Sequence, residues 1–326
     1  MTALSILDLV RVTDRSDAHT AIDHARDLAA HAEGWGYRRF WVAEHHNMPG
    51  IASAATAIVL AHVAAGTNTI RVGAGGIMLP NHAPIVIAEQ FGTLAALHPG
   101  RIDLGLGRAP GTDQRTAYAL RRSLTSNDNF PQDVLELQRY FEAEAAQQPV
   151  QAVPAAGTDV PLWILGSSTY GAQLAAELGL PYAFASHFAP GLLLPALEIY
   201  RTCFKPSAQL DRPHAMIGVN IIAADDDATA RRLATTQQMS FVNLFRGARG
   251  LSQPPIDDID LYWSPQEKAQ AASMLARSIV GAPDTVRSGI AALVAETGAD
   301  ELMIVSDLYD HQARLHSYDL IAQAAA

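Results

Sequence analysis

Glu44, His45 and His46 stand side by side in the stretch FWVAEHHNMPG, where an apolar run gives way to a turn. Imidazoles titrate near neutrality and carboxylates well below it, so such a trio can serve as acid and base. It can equally hold a metal ion or form a polar rim. Metal is the poorer reading, because adjacent residues at the end of a strand point to opposite faces and His45 and His46 do not easily share one ion. The chain contains no His-Glu-x-x-His, and its first apolar run carries no His-x-His. No metal site is therefore expected. The two lysines, Lys205 and Lys268, fall away from the predicted strand ends, which argues against imine chemistry as well.

Other stretches are better suited to binding than to proton transfer. In LGSSTYG a short apolar run passes through Gly166 into Ser167, Ser168 and Thr169, and then into an Ala-rich helix. Hydroxyls and free backbone N–H groups converge there, which suits an anion such as phosphate or, equally, a plain Ser/Thr cap. Arg108 leaves a neighbouring strand and can reach the same anion. Gly75 and Gly76 interrupt the apolar run VGAGGIM. Glycine inside a strand costs roughly 0.5–1 kcal/mol against alanine, so a pair marks either a bulge or a close approach of backbone to a flat ligand.

The elements that must position these residues alternate along the whole chain. Eight apolar runs read as strands: Leu4 to Leu9, Arg39 to Ala43, Ile70 to Ile77, Ile102 to Gly107, Leu162 to Leu165, Tyr182 to Ala185, Met216 to Ile222 and Glu301 to Val305. Helical patterns lie between them. In DAHTAIDHARDLAAHAEGWG, for example, Ile22, Ala25, Leu28, Ala29 and Ala32 form one face. An eightfold βα repeat predicts a (β/α)8 TIM-type barrel, one domain over residues 1–326, with its chemistry at the C-terminal ends of the strands. The alternative, an open doubly wound sheet, lacks a G-x-G-x-x-G after its first strand. On the barrel reading Asp8 ends the first strand and joins Glu44, His45 and His46 on one polar rim, and SHF with His187 follows the sixth. Two segments exceed the simple repeat, Arg108 to Asn129 and Ala248 to Pro283. The first reads as a lid or substrate wall over the mouth, the second as a lid or a dimer contact.

Composition narrows the partners. The 326 residues are 49% hydrophobic and 17% charged, with 33 acidic against 23 basic side chains and a net charge of −10. No cluster of Lys or Arg offers a footprint for nucleic acid or an anionic membrane. A single cysteine, Cys203, rules out an internal disulfide. No signal-like N-terminus and no long apolar span are present, so a cytoplasmic protein is expected.

Taken in order, SILDLV, WVAEHHNMPGIAS, VGAGGIMLPNHAPIVIAEQFGTLAALHPGRIDLGLGRAPGTDQ, WILGSSTYGAQLAAELGLPYAFASHF and DHQARLH resemble the bacterial-luciferase-like flavin monooxygenases over nearly the whole chain. The resemblance implies a barrel that binds reduced FMN at its C-terminal mouth. It implies a cis peptide at Gly75-Gly76 beneath the flavin ring. Arg108, Ser167, Ser168 and the backbone near Gly171 would hold the phosphate. His45 would act near the flavin N5/C4a edge, with Glu44 and His46 supporting it or lining the wall. The expected reaction is two-component: a separate NAD(P)H:flavin reductase supplies reduced FMN, O2 adds at C4a, and the peroxide oxidises a small organic substrate. Met78, Leu79, Phe188 and Trp263 are candidates to keep water out. The resemblance also implies a homodimer, and it leaves open an oxidoreductase that uses the deazaflavin F420 in place of FMN, or a flavin-binding protein without catalysis. Gly107 and Ser167 depart from the cysteine and glutamate of true luciferases, so light emission is not expected.

Overall fold

A computed structural model describes residues 2–109, 113–122 and 129–325. Its strands are β1 (Ala3–Asp8), β2 (Arg39–Val42), β3 (Arg71–Met78), β4 (Ile102–Gly107), β5 (Leu162–Gly166), β6 (Tyr182–Phe184), β7 (Ala215–Ala223), β8 (Ile279–Gly281) and β9 (Glu301–Val305). All pair in parallel, in the order β6-β5-β4-β3-β2-β1-β9-β7-β8, and β6 also pairs with β7. That last pairing closes eight strands into the expected barrel.

The short β8 is an addition to it. It pairs only with Ile221 to Ala223, where β7 overshoots the barrel, and it lies inside the segment that fits no simple repeat. A strand of three residues carries no period of its own, so it forms only where a neighbour already offers an edge.

Parity along each strand divides the core. Ile6, Phe40, Val42, Leu104 and Ile304 face outward and are buried beneath the helices. Leu7, Trp41, Trp163, Met216 and Met303 face inward and form a separate apolar cluster. The helices are α1 (Ala18–Gly34), α2 (Thr56–Ala65), α3 (Pro84–Leu97), α4 (Gln114–Ala119), α5 (Phe130–Phe141), α6 (Thr169–Leu178), α7 (Leu193–Cys203), α8 (Asp227–Phe245), α9 (Pro265–Met274), α10 (Pro283–Thr297) and α11 (His311–Ala325). On α1 the buried face is Ala21, Ala25, Leu28, Ala29 and Ala32. Ile22 is only partly buried, so Ala21 takes the place expected for it. No helix among the described residues is long and apolar enough to cross a membrane.

At the N-terminal end of the barrel the interior is charged. Arg39 donates through Nε to Glu301 Oε1 (2.9 Å) and through Nη1 to Asp103 Oδ2 (2.7 Å). Arg71 Nη2 lies 2.6 Å from Asp103 Oδ1, Ser5 donates to Glu301, and His214 Nε2 lies 3.2 Å from Glu301 Oε2. The Arg39 guanidinium also sits 4.7 Å from the centre of the Trp163 ring. Burial opposes ionisation of Glu301, yet these donors outweigh it and hold its pKa below the usual value. This floor leaves the other end as the place for chemistry.

The loops at that other end are tied together. Val12 N–H donates to Gly50 O, Ser252 N–H to Val12 O, and Asp14 N–H to Ser252 O. A Cβ on Gly50 would lie 2.3 Å from Gly250 O, so the two backbones touch. The start of the 248–283 segment therefore lies across the loops that follow β1 and β2, and its later part forms α9 against α8. Of the loop between Arg108 and Asn129, residues 110–112 and 123–128 lie outside the described residues. Between them α4 is capped by Asp113, which accepts from Thr116 N–H.

Candidate active site at the barrel mouth

The strand β2 aims the acid–base trio. Beyond Val42, where β2 ends, His45 is half-buried and near enough to His187 to act on it electrostatically, while Glu44 and His46 bond one another. Glu44 is buried and turned toward β3. Its Oε1 accepts from His46 Nε2 (2.7 Å) and Asn81 Nδ2 (3.2 Å), its Oε2 accepts from Met78 N–H (2.9 Å), and His82 Nε2 lies 3.0 Å from both oxygens. Burial raises the Glu44 pKa, but the bonds from His82, His46 and Met78 more than reverse this and hold it below the ordinary carboxylate value. Glu44 thus organises two other imidazoles, His46 and His82, and fastens the β2 end to the loop after β3. Among the described residues no group of three His, Cys, Asp or Glu is disposed to hold a metal ion.

On β3 the Gly75-Gly76 peptide is cis, as the resemblance implied. The register against β4 shifts between Gly75 and Ile77, so a bulge is present. A Cβ on Gly75 would meet Trp41 at 2.8 Å and Leu7 at 2.9 Å, and one on Gly76 would meet Gly105 O at 2.7 Å. Barrel packing by itself therefore demands glycine at both positions. Gly75 nevertheless remains half-buried rather than sealed, which leaves backbone reachable from the mouth.

Arg108 and the start of α6 come together across β4 and β5. The Arg108 guanidinium stands 4.2 Å from the centre of the Tyr170 ring in the first turn of α6. Ser167 and Ser168 are exposed, and Ser168, at the N-cap position, makes no side-chain capping bond. Its hydroxyl and the first-turn amides are thus available to an anion. Gly171 faces the strand instead: a Cβ there would lie 3.3 Å from Tyr182 and 3.5 Å from Gly166 Cα. Its side-chain position is set by packing, and only its amide could serve a ligand. A cation, two hydroxyls and a helix N-terminus suit a phosphate.

Asp8 has a different setting. It is buried, accepts from Val10 N–H (2.9 Å) and pairs with Arg314 of α11 (3.3 Å). Val10 has φ +51°, a rare conformation for a β-branched residue, and Asp8 braces it. Asp8 Oδ2 and Arg314 Nε are buried without hydrogen-bond partners and line a cavity of about 10 Å³, room for one water. Asp8 therefore braces the β1 loop and α11.

The proposed water shield divides in the same way. Phe188 is exposed beside His187, and Met78 fills the space over Gly107. Leu79 is buried in the outer core. Trp263 bonds Asp260 (2.7 Å) beside α9, within the segment after α8.

The family model described as luciferase-like monooxygenase matches residues 2–301. A protein of Escherichia coli (strain K12) named luciferase-like monooxygenase is 54% identical over 319 residues, covering 98% of this chain and 95% of its own. The chain belongs to the luciferase-like monooxygenase family.

Among solved structures, apo-MsnO8 superposes with a TM-score of 0.93 at 34% identity, covering 99% of this chain and 98% of that one. Likeness of fold extends to the oxygenating constituent of 3,6-diketocamphane monooxygenase from Pseudomonas putida, solved with FMN (TM-score 0.75, 18% identity, 100% and 98% covered). It extends also to an F420-dependent secondary alcohol dehydrogenase (0.72, 14%, 100% and 99% covered). Family membership makes the chain an oxidoreductase of the luciferase-like monooxygenase type. In this family member His45, Arg108 and the start of α6 all follow C-terminal strand ends, and Asp8 and Glu44 are engaged by the loops at that same end. Tyr170, His82 and Asn81 were not legible as site residues. His82 and Asn81 sit in the polar break LPNHAP just after β3, and that position was the available signal.

Proposed function

We propose that this family member is the oxygenating component of a two-component flavin monooxygenase, acting on a small organic substrate with O2. The carrying observation is the Arg108 guanidinium standing over Tyr170 at an α6 N-terminus whose Ser168 side chain makes no capping bond, at the C-terminal end of the barrel strands, which His45 also follows. Arg108, Ser167, Ser168 and the Gly171 amide would hold the ribityl phosphate, and the backbone at Gly75 and Gly76 would lie against the ring. Bound in reduced form, FMN supplies the electrons for O2 activation.

The chain's own residues do the rest. His45 takes or gives a proton at the reacting edge, where an imidazole suits transfers near neutral pH. Glu44, held ionised by His46 and His82, fixes the loop from which His45 projects. Phe188 and Met78 reduce water access. The oxygen-dependent reaction draws reduced flavin from a separate NAD(P)H:flavin reductase, and the working form is a homodimer in the cytoplasm.

Oxygen uptake with an added flavin reductase, across aldehydes, sulfonates, amines and aromatic acids, tests this directly. Substrate-dependent uptake above the reductase background is the expected result, and its absence across the panel counts against the monooxygenase reading. The F420-dependent alcohol dehydrogenase sharing this fold favours a second reading, hydride transfer with a deazaflavin. Absorbance changes on mixing the protein with F420 but not with FMN would select it.

A further inference from the structure

His187 stands at the mouth with no part in the reading above. It follows β6, and its ring fills the space that a side chain at Gly218 would need: a Cβ there would lie 2.3 Å from His187 Nδ1. Gly218 shares the inward parity of Met216, so the imidazole lies over the barrel interior. The support around it is unusually complete. Asn220 Nδ2 donates to the His187 carbonyl (2.5 Å), and Asn220 Oδ1 in turn accepts from Gln237 Nε2 (2.9 Å). Ser186 Oγ donates to Gly218 O (2.6 Å), and the Phe188 ring meets the imidazole edge-on at 4.8 Å. A side chain held through two layers of contacts in this way is preorganised.

The two ring nitrogens differ. Nδ1 is buried with no hydrogen-bond partner, whereas Nε2 is not among the buried orphans and has no partner among the described residues. Burial, and then the nearby His45, push the His187 pKa down to about 4, so the ring is neutral over the ordinary working range. A buried N–H left unpaired is rarer than an under-used acceptor lone pair. The proton therefore belongs on Nε2, and the bare lone pair on Nδ1.

Building on the monooxygenase reading of the mouth, we propose that His187 is a second functional imidazole, a neutral hydrogen-bond donor through Nε2–H to an oxygen of the substrate. An uncharged donor favours a carbonyl, amide or similar neutral oxygen. It offers no charge to a carboxylate or sulfonate, and no acceptor to an ammonium group. The substrate class that follows is an uncharged oxygen-bearing organic molecule.

Nitrogen NMR of histidine-labelled protein without cofactor tests the donor itself, with His187→Gln used to assign the signal. The Nε2–H tautomer, titrating at about 4, is expected. An Nδ1–H tautomer, or titration near 6.5, overturns the proposal. Saturating cyclohexanone, added with and without FMN, should move the His187 Nε2 signal, while methylcyclohexane, which lacks the oxygen, should not. Equal shifts or no shift with either compound overturn the substrate assignment. The affinity of His187→Leu for oxidised FMN should stay within about twofold of the parent, whereas a loss of about tenfold or more would assign the imidazole to the cofactor instead. A parent protein that binds no FMN at all would sink the cofactor reading, and the cofactor-free NMR measurements would still decide His187.

Discussion

The guanidinium of Arg108 stands 4.2 Å from the centre of the Tyr170 ring, so a cation leaving β4 rests on the first turn of α6. The ring face attracts the guanidinium and keeps it beside the α6 N-terminus, where its N–H donors suit an anion. Arg108→Ala should weaken FMN binding by about 1.5–3 kcal/mol, the range for hydrogen bonds to charged groups. Tyr170→Leu, which removes the rest but keeps the charge, should cost less. Fluorescence titration of both variants checks this, and unchanged affinity in Arg108→Ala would refute the phosphate assignment.

His45, just beyond the C-terminal end of β2, is the imidazole to which the proposed function gives the proton transfer. If it moves a proton, His45→Ala should lose about 10²–10⁴ in substrate-dependent oxygen uptake and flatten the pH profile. Full turnover with the parent's pH dependence would remove His45 from the mechanism.

Acid should destabilise the fold through its histidines. His24, His187 and His311 all have pKa values lowered chiefly by burial. In the unfolded chain they take up protons near 6.5, while the folded protein resists until lower pH. The unfolded state therefore binds more protons in that interval, and stability is lost as pH falls through it. For His187 the window runs from 6.5 down to about 4. Thermal melts between pH 7 and 4 should show a declining Tm with a shallower slope in His187→Phe, and an identical slope would contradict the account.

Glycines 75 and 76 can be assigned to packing or to ligand by their effect on the cofactor-free protein. A methyl on Gly76 would sit 2.7 Å from Gly105 O, and backbone cannot step aside as a side chain can. Gly76→Ala and Gly75→Ala should each lose about 1–3 kcal/mol of stability without FMN present. If urea melts of the cofactor-free variants match the parent, the bare backbone serves the ligand alone.

The barrel floor should matter to folding and hardly at all to binding. Arg39 is buried between Asp103 and Glu301, and removing one member of such a cluster leaves charges uncompensated. Arg39→Met should cost about 3–5 kcal/mol, read from urea denaturation. FMN affinity per folded molecule should stay at the parent level, because the substitution lies at the opposite end from Arg108.

Much of this molecule could be read before its structure. The eight barrel strands announce themselves as apolar runs such as Ile102–Gly107, and β-strand parity assigns His45 and His46 to opposite sides. What escaped depends on partners distant in sequence. The strand Ile279–Gly281 exists because β7 overshoots its neighbours, a length that nothing near residue 279 encodes. Glu44 reads as support for His45 or as wall, but its partner His82, 38 residues further on, is not legible from it. Asp8, placed by its strand end on the rim, is claimed by Arg314 across 306 residues.

The plug of Arg39, Asp103 and Glu301, with the apolar layer of Leu7, Trp41, Trp163, Met216 and Met303 above it, fills the barrel interior, so whatever binds at the mouth must enter and leave on that one side. Of two molecules held there, the one nearer the packed layer has to arrive first and depart last.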